Sequence, residues 1–227
     1  MEQDRIWDYF QNDESMGDKS FIADTRYQYL ADQIPVGASA LNIGVGAGGL
    51  ERIMHDKQII VSCLDPNAES IQKISEKLDL EERAQVGYSQ EMPFPDNTFD
   101  FVIMSEVLEH LSDDIIAQTL IEVKRVLKPT GRFIGTVPAD EDLKESIVVC
   151  PCCGKVFHRL GHVQSFSEER LQEMLTQSFL SHKISRHYFG SFDRLNMKGR
   201  ISLLLKQLMI KLKVKGSNET FFFDGQS

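Results

Sequence analysis

The chain has 227 residues, of which 41% are hydrophobic and 26% charged, and its formal net charge is −9 at pH 7. This composition predicts a globular protein with a full core, and no run of about eighteen apolar residues is present that would predict a membrane span. The negative charge argues against general nucleic-acid binding, and the four cysteines indicate cytoplasmic thiols, free or bound to metal, rather than a disulfide scaffold.

The first predicted unit is an N-terminal helical lid over residues 1–34, which are polar with spaced aromatic side chains. Aromatic residues at this spacing either cover a pocket or pack in the ordinary way, and both interpretations stay open. The residues concerned are Trp7, Tyr9, Phe10, Arg26 and Tyr27.

Residues 35–227 form the second predicted unit, in which strand and helix patterns alternate. Strands are predicted in ASALNI, QIIVSCLD, RAQVGYS, FDFVIMS and GRFIGTVP, and FDFVIMS has the continuous hydrophobicity of a buried parallel strand. Helices are predicted between them, the longest as a single helix over EVLEHLSDDIIAQTLIEVKRVLK that is closed by Pro129 and Gly131. Such alternation predicts an α/β fold with a doubly wound sheet.

The pattern changes after residue 140. A Cys/His segment over 148–163 interrupts the alternation, and a helix in SFSEERLQEMLTQS, a strand in SHKISRHYFG and a closing strand in ETFFFDG follow. Before the closing strand, residues 194–215 carry lysines and arginines interleaved with leucines at helical spacing. This stretch predicts either a surface helix in peripheral contact with a membrane or a helix packed on the sheet.

A glycine loop follows the first strand of the alternating region. Gly44, Gly46 and Gly49 satisfy the pattern G-x-G-x-x-G, with Gly48 between the last two, and Asp65 ends the next strand about twenty residues on. Glycines let the backbone turn tightly against a cofactor, and the carboxylate can accept both hydroxyls of a ribose. The pairing predicts a nucleoside cofactor, either a nicotinamide dinucleotide or S-adenosylmethionine; a tight turn with a helix-capping Asp is the alternative.

The segments LNIGVGAGG, SCLDPN, QEMPFPDNTFDFVIMSEVLEHL and EVKRVLKPTGRFIGTVP together resemble the class I S-adenosylmethionine-dependent methyltransferases, in particular the methyltransferase type 11 group. The resemblance extends from about residue 38 to 180. It implies a Rossmann-like sheet of seven strands with the last strand antiparallel, and S-adenosyl-L-methionine as the cofactor.

The resemblance also implies a set of cofactor-binding positions. Asn42 stands where the family usually has an acidic residue, and Tyr88 and Ser89 stand where it has Asp and Ala beside the adenine. Ser105 and Glu106 match the segment that lines the methionine part. The full set is Asn42, Gly44, Gly46, Gly48, Asp65, Pro66, Tyr88, Ser89, Gln90, Ser105 and Glu106.

The implied reaction is methyl transfer to an oxygen or nitrogen of a small metabolite, a sugar or a lipid-linked acceptor. A hydroxyl acceptor needs a proton acceptor, and His110 is the candidate base, with a pocket-shaping histidine as the alternative. Glu109 is interpreted as a solvated helix residue. Two other functions stay open: a cofactor-binding or interaction module without activity, and a nicotinamide-dependent oxidoreductase.

The Cys/His segment has the spacing C-x2-C-x4-H-x3-H, which predicts a structural zinc held by Cys150, Cys153, His158 and His162. Cys152 is a substitute ligand in this hypothesis. His162 also resembles a pocket histidine of the methyltransferase family, and the thiols could instead be redox-active. These alternatives stay open at the level of the sequence.

Overall fold

The computed structural model describes residues 21–190, 196–212, 216 and 218–227. Trp7, Tyr9 and Phe10 of the predicted lid, and residues 194–195 and 213–215 of the basic stretch, lie outside the described residues. The helices are α1 (Phe21–Ala31), α2 (Gly49–Asp56), α3 (Ala68–Leu78), α4 (Asp113–Val126), α5 (Glu168–Ser178) and α6 (Met197–Lys211). The strands are β1 (Ser39–Ile43), β2 (Ile60–Asp65), β3 (Ala84–Val86), β4 (Phe99–Ser105), β5 (Leu127–Pro138), β6 (Ile147–Val149), β7 (Val156–His158), β8 (Ser181–His187) and β9 (Thr220–Gln226).

Seven of these strands form one sheet in the order β3-β2-β1-β4-β5-β9-β8. The first five are parallel to one another, and β9 runs antiparallel to both β5 and β8. The predicted doubly wound sheet of seven strands, with the last strand of the chain antiparallel, is confirmed.

The sheet separates two hydrophobic cores because successive strand residues point to opposite faces. Leu41, Val102 and Phe133 pack on one face, together with buried residues of α4 and α5. Ala40, Ile103 and Ile134 pack on the other, together with buried residues of α1, α2 and α3. The strand order turns back between β1 and β4, so a crevice for a ligand is expected beyond their carboxyl ends.

The predicted long helix from Glu106 to Lys128 is wrong at both ends. Glu106 has a left-handed backbone (φ 57°), so the chain cannot continue from β4 directly into a helix. A 3-10 turn over Leu108–His110 follows, and α4 begins only at Asp113. At the other end, Leu127 already pairs with Phe99, so β5 starts before Pro129 rather than at Gly131 as predicted.

The Cys/His segment forms a hairpin outside the main sheet. β6 and β7 are antiparallel, with Ile147 opposite His158 and Val149 opposite Val156. The CPCCGK turn lies at the free end of this hairpin, beyond Val149. Across the described residues, no helix has both the length and the apolar character needed to cross a bilayer.

Candidate active site

The glycine loop connects β1 to α2 at the carboxyl edge of the sheet. Gly44, Gly46 and Gly48 all have left-handed backbones, with φ of 89°, 55° and 74°. A Cβ on Gly44 would lie 2.6 Å from Val107, whereas a Cβ on Gly46 would meet nothing within 4 Å. The middle of the loop therefore faces open space, as a cradle for a cofactor requires.

Asp65 lies directly beside this loop, at the end of β2. Its Oδ2 accepts a hydrogen bond from the amide of Val45 at 2.8 Å, and its Oδ1 accepts one from the amide of Asn67 at 2.8 Å. The side chain is 2% exposed. Asp65 thus joins the two loops that a ribose would contact. Pro66, the next residue, is exposed.

Asn42 lies below the loop and pairs with a carboxylate that the sequence interpretation missed. Its Nδ2 donates to Glu51 Oε1 at 2.6 Å and to the carbonyl of Gly44 at 3.2 Å. Glu51 is 0% exposed, and burial raises its pKa to about 7, against an opposing contribution from the Asn42 hydrogen bond. Helical spacing could have predicted its burial, since Glu51 lies one turn before the buried Met54 on α2.

The predicted adenine-side residues follow β3. Gly87 donates its amide to the carbonyl of Asp65 at 3.1 Å, which brings this segment to the edge of the crevice. The Ser89 hydroxyl is engaged with Thr119 Oγ1 at 2.7 Å, and Tyr88 is 47% exposed. The proposed cofactor contacts of Tyr88, Ser89 and Gln90 stay predictions.

Ser105 and Glu106 end β4, and α1 reaches them through Arg26. Arg26 Nε donates to Ser105 Oγ at 3.1 Å, and its Nη1 lies 3.6 Å from Glu106 Oε2. Burial alone would lower the pKa of Arg26, but the adjacent Glu106 and Tyr27 outweigh it and the pKa is raised. Among the described residues, Glu106 Oε1 is buried without a hydrogen-bond partner.

A histidine and glutamate cluster lies next to this end of β4, and the carboxylate of Glu109 is part of it. The interpretation of Glu109 as a solvated helix residue is wrong, because its side chain is 1% exposed. Glu109 Oε1 lies 3.9 Å from His110 Nε2, and neither Glu109 oxygen has a hydrogen-bond partner among the described residues. Burial and the nearby Glu106 raise the pKa of Glu109 well above its usual value.

The cluster comes from three segments: the turn with His110, the loop with Glu141, and the stretch that carries His158 and His162. His110 and His162 meet edge to face at 4.6 Å between ring centroids, and His158 stacks on His162 at 4.6 Å. Glu141 accepts a hydrogen bond from His162 Nδ1 at 2.5 Å. Burial, followed by the neighbouring His162, lowers the pKa of His110 to about 3. Glu141 carried no recognisable motif in the sequence.

The structure does not bring the four predicted zinc ligands together, and the zinc stays a prediction. His158 lies opposite Ile147 in the hairpin. Ile147 comes three residues before Cys150, so His158 and Cys150 are separated by about 10 Å along the strand direction. Cys152 and Cys153 are exposed at the turn. His158 and His162 instead share a cluster with Glu141. The hairpin register thus separates the thiols from the imidazoles.

The turn itself keeps one feature of a metal-binding knuckle. The amides of Cys153 and Cys152 face the Cys150 thiol and lower its pKa. All four cysteines are free in the structure, with Cys63 buried in the core. Whether the exposed thiols are redox-active stays an open hypothesis.

Comparisons with known proteins agree with this architecture. Residues 41–135 match a family model described as a methyltransferase domain. An uncharacterized methyltransferase of Schizosaccharomyces pombe is 35% identical over 105 residues, which are 40% of this chain and 36% of that protein. The chain thus spans about a third of the length of that relative.

Two further similarities cover most of the chain. A demethylmenaquinone methyltransferase of Shouchella clausii is 25% identical over 203 residues, which are 79% of this chain and 84% of that protein. The solved structure of Burkholderia thailandensis 1,6-didemethyltoxoflavin-N1-methyltransferase, with bound 1,6-didemethyltoxoflavin and S-adenosylhomocysteine, has a TM-score of 0.66 at 14% identity. It covers 99% of this chain and 85% of that chain, and at this identity it shows the fold alone.

Proposed function

We propose that this chain, which belongs to the class I S-adenosylmethionine-dependent methyltransferases, methylates an oxygen or nitrogen atom of a small-molecule acceptor. The observation that carries the proposal is the junction of the open glycine loop with Asp65. Val45 of the loop donates its amide to the Asp65 carboxylate at 2.8 Å, so the nucleoside part of a cofactor has both a cradle and a ribose acceptor at one edge.

The residues at this edge fit S-adenosylmethionine. The loop glycines and Asp65 would hold the nucleoside part. Glu106 Oε1, which is buried without a partner among the described residues, is an acceptor suited to the ammonium group of the methionine part. When bound, this cofactor supplies a methyl group on a positively charged sulfur, which is a good leaving group. The protein then has mainly to orient the acceptor and exclude water.

Helix α1 supplies part of that exclusion. Arg26 binds Ser105 and Glu106 at the end of β4, and the Tyr27 ring lies 2.9 Å from the position of a Cβ on Gly49. This packing supports the division into a lid over residues 1–34 and a methyltransferase domain over 35–227.

His110 as the proton acceptor stays a prediction, and its surroundings weaken it. Its Nδ1 faces the carbonyl of Gly161 at 3.2 Å, so Nδ1 carries the proton and Nε2 is the basic nitrogen. A pKa of about 3 makes the ring neutral at pH 7, but a general base works best with a pKa near the operating pH.

Among the acceptor classes, the exposed face of α6 favours a lipid-linked one. Leu203 is buried, whereas Leu204, Leu205 and Leu208 are each more than half exposed. The Shouchella clausii relative is named as a demethylmenaquinone methyltransferase, and a quinone of this kind is also an apolar acceptor. Peripheral membrane contact through 194–215 is part of this proposal. A cytoplasmic location stays a prediction from the sequence.

Sedimentation with anionic vesicles tests the lipid part. The wild-type chain should sediment at low and physiological salt, and a Leu204→Gln/Leu208→Gln variant should stay in the supernatant. Equal sedimentation of the two proteins, or none by the wild type, would contradict the membrane contact.

Calorimetry with S-adenosylhomocysteine, followed by labelled-methyl transfer to cell extract, tests the main proposal. We expect Asp65→Asn to weaken binding at least tenfold, while the matched control Asp79→Asn on the exposed end of α3 leaves it unchanged. Failure of the wild type to bind would refute the proposal. Binding without methyl transfer to any fraction of the extract would favour the inactive cofactor-binding module, and binding of a nicotinamide dinucleotide instead would favour the oxidoreductase.

A further inference from the structure

We propose that Glu109, His110 and His162 form a binding site for one divalent transition-metal cation, with Glu141 and His158 as its outer support. One donor atom from each of the three ligands lies within 4.8 Å of the other two. The site differs from the cysteine-containing one predicted from the sequence, and it requires neither methyl transfer nor a bound cofactor.

The hydrogen bonds of the two histidines set the tautomer of each ring. His110 donates from Nδ1 to the carbonyl of Gly161, and His162 donates from Nδ1 to Glu141 Oε2. A neutral imidazole has one N–H, so the basic nitrogen of both rings is Nε2. A carboxylate or a carbonyl that accepts the other N–H is the usual outer support of a metal-bound histidine.

Glu109 gives an independent indication of a cation. Its carboxylate is 1% exposed, and both oxygens lack a hydrogen-bond partner among the described residues. A buried carboxyl group without a hydrogen-bond partner is unfavourable in either protonation state, because the anion lacks a compensating positive charge and the neutral acid leaves its polar atoms unsatisfied. A cation between Glu109 and the two imidazoles would supply that charge.

A second arrangement, with Glu141, His158 and His162 as ligands, also has its donor atoms within 4.8 Å. The hydrogen bond of His158 argues against it. His158 Nδ1 accepts the backbone amide of His162 at 3.0 Å, so Nε2 must carry the ring proton. The protonated Nε2 lies 3.6 Å from Glu141 Oε1. His158 therefore orients Glu141 and does not bind the cation.

The backbone holds the ligands in place without help from a metal. The amides of Val163 and Gln164 both donate to the carbonyl of Glu109, at 2.9 and 3.3 Å. The Gln164 side chain donates to the carbonyl of Leu111. The segment that carries His162 is thereby fixed to the turn that carries Glu109 and His110, so little ordering entropy opposes binding.

Two imidazole nitrogens and one carboxylate oxygen suit Zn²⁺, Fe²⁺, Mn²⁺ or Co²⁺ rather than Ca²⁺ or Mg²⁺, which prefer oxygen ligands alone. Three protein ligands leave coordination positions open. Glu109 lies in the 3-10 turn Leu108–His110 that follows β4. A cation here would therefore lie near the end of β4.

Metal titration of the full chain tests the proposal, after removal of bound metal by a chelator. Calorimetry with Zn²⁺ and with Co²⁺ should give about one equivalent. We expect Glu109→Gln and His162→Gln each to weaken binding at least a hundredfold, and Glu141→Gln to weaken it ten- to a hundredfold. His55→Gln on the exposed face of α2 is the matched control and should bind as the wild type does.

A Cys150→Ser/Cys153→Ser variant separates this site from the thiols. It should keep the bound Co²⁺, and the Co²⁺ spectrum of the wild type should lack the intense near-ultraviolet band that thiolate ligands produce. Loss of binding in the cysteine variant, unchanged binding in both Glu109→Gln and His162→Gln, or no uptake by the wild type would overturn the proposal. Circular dichroism of each variant identifies any that fail to fold, and Glu109→Gln, which keeps the side-chain volume, then carries the test.

Discussion

The buried pair of Asn42 and Glu51 makes the stability of the protein depend on pH in a way that one substitution should remove. Glu51 has a pKa of about 7 in the fold, against an ordinary value of 4.5. The stability contributed by its neutral form is fully present below pH 4.5 and is lost as the pH rises through 7. The Glu51→Gln variant cannot lose a proton, so it should escape that loss.

The expected size follows from the pKa difference. One pKa unit corresponds to about 1.4 kcal/mol, so the wild type should lose roughly 3 kcal/mol that the variant keeps between pH 4.5 and pH 8.5. The hydrogen bond is retained, because a glutamine Oε1 can still accept from Asn42 Nδ2. Among the described residues Asn42 Oδ1 has no partner, so it is available to the new amide.

Urea unfolding of both proteins at several pH values between 5 and 8.5 measures this difference. The variant should equal the wild type within about 1 kcal/mol at pH 5 and exceed it by roughly 2–3 kcal/mol at pH 8.5, or by about 5–10 °C in Tm. Glu173→Gln on the exposed face of α5 is the control and should show no such dependence. A difference between wild type and Glu51→Gln that stays constant across the pH range would refute the reasoning.

Two further predictions concern the loop and the lid. Gly48→Ala should lower the free energy of unfolding by about 1–2 kcal/mol, because φ is 74° and the new Cβ would lie 2.5 Å from the flexible end of Ile74. Chemical denaturation measures this loss, and an unchanged midpoint would contradict it. Arg26→Met should raise the Kd for S-adenosylhomocysteine about tenfold, since it removes the contacts of α1 with Ser105 and Glu106. Calorimetry measures this Kd, and an unchanged affinity would argue against a lid.

The parts of the site that could be predicted from the sequence are those set by short spacings. Gly44, Gly46 and Gly48 follow a buried strand, and Asp65 ends the next one. Parallel strands present their carboxyl ends at the same edge of a sheet, so these residues had to lie together once the alternation was recognised. The burial of Glu51, which was missed, could also have been predicted from a short spacing, because Glu51 lies on the buried face of α2.

The positions of the Cys/His ligands could not be predicted in this way. Spacing along the chain placed Cys150 and Cys153 with His158, but the register of β6 and β7 puts His158 opposite Ile147, away from the turn. A residue spacing describes a metal site only if the chain between the ligands turns tightly. Here an antiparallel ladder extends that chain instead.

The sequence by itself therefore determined the fold class, the glycine loop and its acidic partner, because hydrophobic period and turn chemistry act over a few residues. Only the tertiary structure decided that Glu109 is buried, and that Glu141 meets His158 and His162 beside it. Those contacts join residues far apart in the chain, with a separation of 21 residues from Glu141 to His162 and of 51 from His110 to Gly161, and they depend on the backbone bonds from 163–164 to Glu109. No local pattern specifies such bonds, because they form only when the whole sheet has brought its loops to one edge.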